Sequence, residues 1–186
     1  MSVRPGGRRS GLRPRSTVWR QLDAAARAAF PTACAALLMV LLAAPLGLPA
    51  QAQLGGGAAL ACVFYWSLMR PAWMPAAAAF LLGVLADLLG LAPPGVSVLV
   101  LLFAHGLAVG WRRLPAHQDF LTGWLAFVVV AAAAAVLDWA LSSLLMARPL
   151  PADSALLRFA LTAGLYPALA AFFGRVHRGL ADPGAA

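Results

Sequence analysis

The sequence predicts an all-α, polytopic membrane protein with six transmembrane helices in one bundle. Three observations lead there: an apolar composition too rich for a water-soluble core, six apolar runs separated by proline-, glycine- and arginine-bearing turns, and a one-sided arginine distribution. Of the 186 residues, 62% are hydrophobic and 11% charged, with a mean hydropathy of +0.83. A soluble domain of this size has too little interior to hide so much apolar side chain. All the basic residues are arginine and all the acidic ones aspartate.

Residues 1–29 hold seven arginines against Asp23, with Pro and Gly scattered through the first fourteen positions. This composition predicts a solvated cytoplasmic tail that is retained rather than cleaved. From Thr17, the helical spacing of Trp19, Leu22, Ala26 and Phe30 predicts a short helix lying on the membrane surface. Arginines so placed suit anionic lipid headgroups; with no folded module around them, nucleic acid is not an expected partner.

The six spans, residues 30–175 in all, read as Phe30 to Leu48, Gly57 to Met69, Ala72 to Leu91, Gly95 to Trp111, Phe120 to Met146 and Ser154 to Phe173. Each approaches the ~20 residues that cross hydrocarbon, the second only if it begins near Leu54. Prolines 31, 45, 49, 71, 93, 94, 115, 149 and 151 fall near proposed ends, whereas Pro167 lies inside the sixth run and should kink it. Residues 176–186 form a short tail. With both termini cytoplasmic, twelve of the fourteen arginines fall on the inner side, and only Arg148 and Arg158 outside it. Trp66, Trp73, Trp111 and Trp124 occupy the inner ends, as an interfacial belt would.

This orientation gives the intramembrane charges a depth. Asp87 lies about 22 Å up the third helix and Asp138 about 26 Å up the fifth, both in the outer third of the bilayer. Arg158 stands one turn below the outer start of the sixth helix, so either aspartate is a candidate partner for it. His105, near the midplane, reads as a neutral histidine bonded to a carbonyl of a neighbouring helix, with Gly106 and Gly110 allowing close helix approach. Ser142 and Ser143 are expected to bond back to their own helix. Cys34 and Cys62 read as small apolar residues. Neither cysteines nor histidines have metal-ligand spacing, and no nucleophile, base and acid set can be assembled. No catalytic residue, metal or cofactor is expected.

One stretch carries a more specific pattern: Tyr65-Trp66, Arg70-Pro71, Phe80, Gly83, Asp87, and the Pro94-Gly95 turn. In this stretch, and in length and span arrangement over nearly the whole chain, the sequence resembles the rod shape-determining protein MreD family. It differs in its long arginine tail and in Pro93-Pro94, where a more polar turn is common. The resemblance implies a non-enzymatic protein of the bacterial cytoplasmic membrane that works with MreC, and through it MreB and the wall-elongation synthases, in side-wall peptidoglycan synthesis. It also implies a six-helix fold similar to the substrate-binding subunits of energy-coupling-factor vitamin transporters. The residues it marks for partner binding or structure are Arg70, Pro71, Gly83, Asp87 and Gly95, with Asp87, Asp138 and Arg158 as the intramembrane charges. A vitamin-binding transporter subunit is the alternative, and would need an external pocket with several polar and aromatic groups.

Overall fold

The computed structural model describes residues 18–44, 51–111 and 120–181, and within these the chain is all helical. The six helices are α1 (Val18–Ala43), α2 (Gln51–Met69), α3 (Ala76–Leu88), α4 (Val96–Trp111), α5 (Phe120–Leu145) and α6 (Ala152–Ala181). The arginine-rich residues 1–17, residues 45–50 with Pro45 and Pro49, residues 112–119 with Arg112, Arg113 and Pro115, and residues 182–186 lie outside the described residues.

α2 is the axis of the bundle. It packs against all five other helices, which follow one another around it in the order α1, α3, α4, α5, α6. The sequence explains this position: Gly, Ala, Cys, Val and Phe succeed one another without a polar face, and a helix apolar all round belongs in an interior. From Gly57 to Phe64 every residue is buried. Its two halves differ in bulk, small around Gly55-Gly56-Gly57 and large at Phe64, Tyr65 and Trp66.

Small residues let α6 and α2 close on each other. A Cβ on Gly57 would fall 2.6 Å from the Thr162 hydroxyl, and one on Gly56 would fall 2.7 Å from the Arg158 guanidinium. Further along the pair, Phe64 packs on Tyr166 (5.9 Å between ring centroids), and Tyr166 stacks on Phe127 of α5 at 4.1 Å. These contacts run in step, so α2 and α6 are parallel.

The helix ends differ from the sequence reading in informative ways. α1 starts at Val18 and runs without a break through Pro31, which is buried in its interior rather than placed at an end. α2 begins at Gln51, before the glycines. α3 is shorter than the apolar run, because Pro71 shapes a turn (Trp73 N–H to Arg70 O, 2.9 Å) and Pro75 provides the N-cap. Its other end closes at Gly90, φ 69°, where Gly90 N–H bonds to Asp87 O and Leu91 N–H to Ala86 O, the two bonds of a Schellman cap. α5 ends by the same pattern with Ala147 at φ 50°, a conformation that favours glycine. α6 extends to Ala181, past the expected end at Phe173.

Pro167 lies inside α6 and cannot donate to the carbonyl of Ala163. The Trp124 indole of α5 takes that place, donating to Ala163 O at 3.3 Å. Trp66 is fully buried and stacked on half-buried Trp73 (5.7 Å, 29°), so it belongs to the core and not to a surface belt. Gly106 and Gly110 have no neighbour within 4 Å of a built Cβ, so the close approach expected there occurs instead at Gly56, Gly57 and Gly83.

The outer surface is greasy on every peripheral helix: Leu37, Leu81, Leu99, Val136 and Leu156 are all more than half exposed. Two helical stretches, Leu121–Leu145 and Ala152–Phe172, are long and apolar enough to cross a membrane, while Ala29–Ala43, Leu54–Met69, Ala76–Leu88 and Val96–Trp111 are apolar but shorter. In the most apolar part of each long stretch only 33% and 17% of the residues are buried within the protein, so the rest are at least partly accessible. Apolar surface on that scale fits insertion into a membrane.

Ala147→Gly is expected to relieve the strained cap by about 1 kcal/mol, raising the melting temperature of the detergent-purified protein by roughly 2–4 °C. Gly83→Val should lower it, for the reason given by the contact described next.

Candidate functional site

The candidate site is the end of the bundle that carries the α3–α4 and α5–α6 turns. Its first part is the α3–α4 hairpin. At Gly83 the two backbones touch: a Cβ there would lie 2.5 Å from Val98 Cα and 2.9 Å from Val98 N. One turn on, half-buried Asp87 reaches across to α4, where its Oδ2 accepts from Gly95 N–H at 2.7 Å and its Oδ1 from Ser97 N–H at 3.1 Å. The first amides of a helix have no helical partner and carry the positive end of its dipole, so a carboxylate satisfies both needs together. Gly95 has φ 88° and follows Pro94 in a turn closed by Val96 N–H to Pro93 O at 3.1 Å, the pattern of a type II turn. Gly83, Asp87, Pro94 and Gly95 thus build a single device: close helices, a capped α4 and a tight turn.

The second part is the ion pair. Arg158 Nη1 donates to Asp138 Oδ2 at 2.5 Å, joining α5 to α6, with the two side chains only 23% and 15% exposed. Asp87 takes no part in it. Both charges border a cavity of about 40 Å³ between α2, α4, α5 and α6, floored by Gly56, Gly57 and Ser97 and walled by Phe159 and Thr162. Both also line an outer vestibule of about 200 Å³, roofed by Leu91, Ala92 and Pro93 of the hairpin turn and bordered by Trp139, Ser142 and Ser154. The α5–α6 turn is held by Trp139 Nε1–H to Leu150 O (2.9 Å) and Leu150 N–H to Ser143 Oγ (3.3 Å). Ser143 therefore accepts from the turn.

Arg70 and Pro71 lie elsewhere, in the α2–α3 turn at the opposite end of α3. Arg70 is exposed, with its guanidinium 5.1 Å from the Trp73 ring centroid. His105 of α4 is bonded to the buried Ser67 hydroxyl of α2 at 2.8 Å, a side chain where a backbone carbonyl was expected.

A sequence model described as rod shape-determining protein MreD matches residues 29–176. The chain belongs to the MreD family. The match spans every element of the site, from Gly56 to Thr162, and takes in the whole bundle apart from the start of α1 and the last residues of α6. Family membership assigns the chain to a membrane protein with a role in rod-shape determination. Among curated proteins and solved structures, none matches the chain significantly.

Gly56, Gly57, Thr162 and Trp139 were not among the residues singled out from sequence, and Ser143, expected to bond back to its own helix, accepts instead from Leu150 N–H of the turn. The run Gly55-Gly56-Gly57, followed by Ala59 and Ala61, is the signal that could have found the first two, since small residues at helical spacing mark close interfaces in membranes.

Breaking the ion pair is expected to cost more than removing it. Asp138→Leu alone should destabilise by on the order of 2 kcal/mol, because it strands the guanidinium, and Asp138→Leu with Arg158→Met should recover most of that loss in a thermal-melting cycle. A double-variant loss equal to the sum of the two single losses would show that the pair is not coupled.

Proposed function

We propose that this protein is a non-enzymatic scaffold of the cell-elongation machinery, embedded six times in the bacterial cytoplasmic membrane with both termini inside. In this reading it binds MreC, and through it engages MreB and the wall-elongation synthases that direct side-wall peptidoglycan synthesis. The observation that carries the reading is the family match over residues 29–176. Supporting it are an apolar outer surface on every peripheral helix and an arginine distribution weighted to one side. The bundle would then follow the six-helix plan of the substrate-binding subunits of energy-coupling-factor transporters, and the arginine-rich tail would rest on anionic lipid.

The hairpin turn is the contact surface we assign to MreC. Leu88 is 80% exposed beside it, and Pro94 and Gly95 are exposed at its tip. Asp87 spends its carboxylate inside the protein, so its part is to hold that surface in shape. The transporter-subunit alternative has one feature in its favour, the vestibule, but about 200 Å³ is below the roughly 300–1,000 Å³ typical of small-molecule sites.

Depletion in a rod-shaped host is expected to give rounded cells with dispersed wall synthesis; cells that keep their rod form would overturn the scaffold reading. Asp87→Ala should uncap α4 at about 1 kcal/mol and weaken co-purification of MreC, whereas Asp87→Asn, which keeps one of the two acceptor oxygens, should fall between the wild type and Asp87→Ala. Unchanged capture by Asp87→Ala would move the contact elsewhere.

A further inference from the structure

Beside the vestibule runs an apolar groove of about 360 Å³ between α5 and α6. Trp139 and Ala155 line both spaces. The groove walls are Ala132, Ala135 and Val136 on one helix and Leu156 and Phe159 on the other. The indole N–H of Trp139 is already bound to Leu150 O, so the groove offers hydrocarbon and an aromatic face but no free donor. Chemistry changes within one side chain's length: the vestibule holds a carboxylate, a guanidinium and the buried Ser142 hydroxyl. A space edged by both charges, set against a larger apolar one with Trp139 and Ala155 as their common wall, suits a headgroup and an acyl chain.

The charges select the head. Arg158 carries five N–H donors, and among the described residues only Asp138 accepts from it, through one carboxylate oxygen. The other Asp138 oxygen has no hydrogen-bond partner among those residues. A purely anionic head would be drawn to Arg158 and repelled by Asp138 a hydrogen bond away. On the α5–α6 turn above, exposed Arg148 and Asp153 again balance each other. A head that bears both signs meets both groups: its phosphate takes the unused guanidinium donors, and a primary ammonium donates to the free carboxylate oxygen.

We propose that the vestibule and the α5–α6 groove together bind one phospholipid whose headgroup joins a phosphate to a primary ammonium, as in phosphatidylethanolamine. One acyl chain lies along Ala132 to Leu156, beneath Trp139. The proposal draws on no residue of the arginine tail, and it is independent of whether the protein scaffolds wall synthesis.

The test uses the full-length protein, stripped of lipid in detergent and titrated with mixed micelles of phosphatidylethanolamine, phosphatidylcholine or phosphatidylglycerol bearing the same brominated chains. Bromine quenches indole fluorescence on contact, and subtraction of the Trp139→Phe signal isolates Trp139. The expected result is saturable quenching by phosphatidylethanolamine, about tenfold tighter than by either other lipid. Asp138→Asn should bring phosphatidylethanolamine and phosphatidylcholine level, and Ala155→Leu, which fills the shared wall without touching a charge, should abolish the saturable component. Quenching that merely follows lipid mole fraction, equal or tighter binding of phosphatidylglycerol or phosphatidylcholine, or an unaltered curve for Ala155→Leu would overturn the proposal.

Discussion

In hydrocarbon an apolar side chain gains little by moving from lipid to protein, so a bundle holds through close backbone approach and through the polar contacts it can complete. α2 and its glycines answer the first requirement. With Gly57 against Thr162 and Gly56 against Arg158, α6 comes near enough for its arginine to lie over a bare stretch of α2 backbone. The aromatic residue that follows on α2, Phe64, packs with Phe127 and Tyr166 at the other end. A small cavity lies beside the glycine-bearing half of α2, and the ion pair borders it.

The second requirement accounts for the polar groups one by one. Asp87 meets the free amides of α4, Asp138 meets Arg158, Ser67 meets His105, and Trp124 meets the carbonyl that Pro167 leaves open. Each joins two helices, or a helix and a turn, where an unsatisfied group would cost several kcal/mol in a lipid surrounding. Gly83, Asp87 and Gly95, which carry the family resemblance, prove to be parts of the α3–α4 hairpin. A hairpin held this tightly makes a defined surface at one end of the bundle and roofs the vestibule below it.

Much of the site was legible because its elements are local in sequence. Asp87 and Gly95 are eight positions apart. Asp87 and the Pro94-Gly95 turn stood out as one motif for that reason, but that the carboxylate caps α4 was not foreseen from sequence. The α5–α6 pair was open to two aspartates, since depth along a helix says how high a charge lies and nothing about which direction it faces. Proline was misleading at position 31 for a related reason: it marks helix ends as a tendency, and a buried α1 accommodates it in its interior.

The sequence by itself determined the helical class, the apolar surroundings and the family, because these depend on composition and on motifs whose residues are chain neighbours. Only the tertiary structure decided that α2 is central, that Gly56 and Gly57 rather than Gly106 and Gly110 make the close contacts, that Trp66 is core, and that Arg158 belongs to Asp138. Those outcomes depend on the rotation of each helix about its own axis. In a chain apolar on every face, no hydrophobic periodicity records that rotation, and the packing of neighbouring backbones sets it.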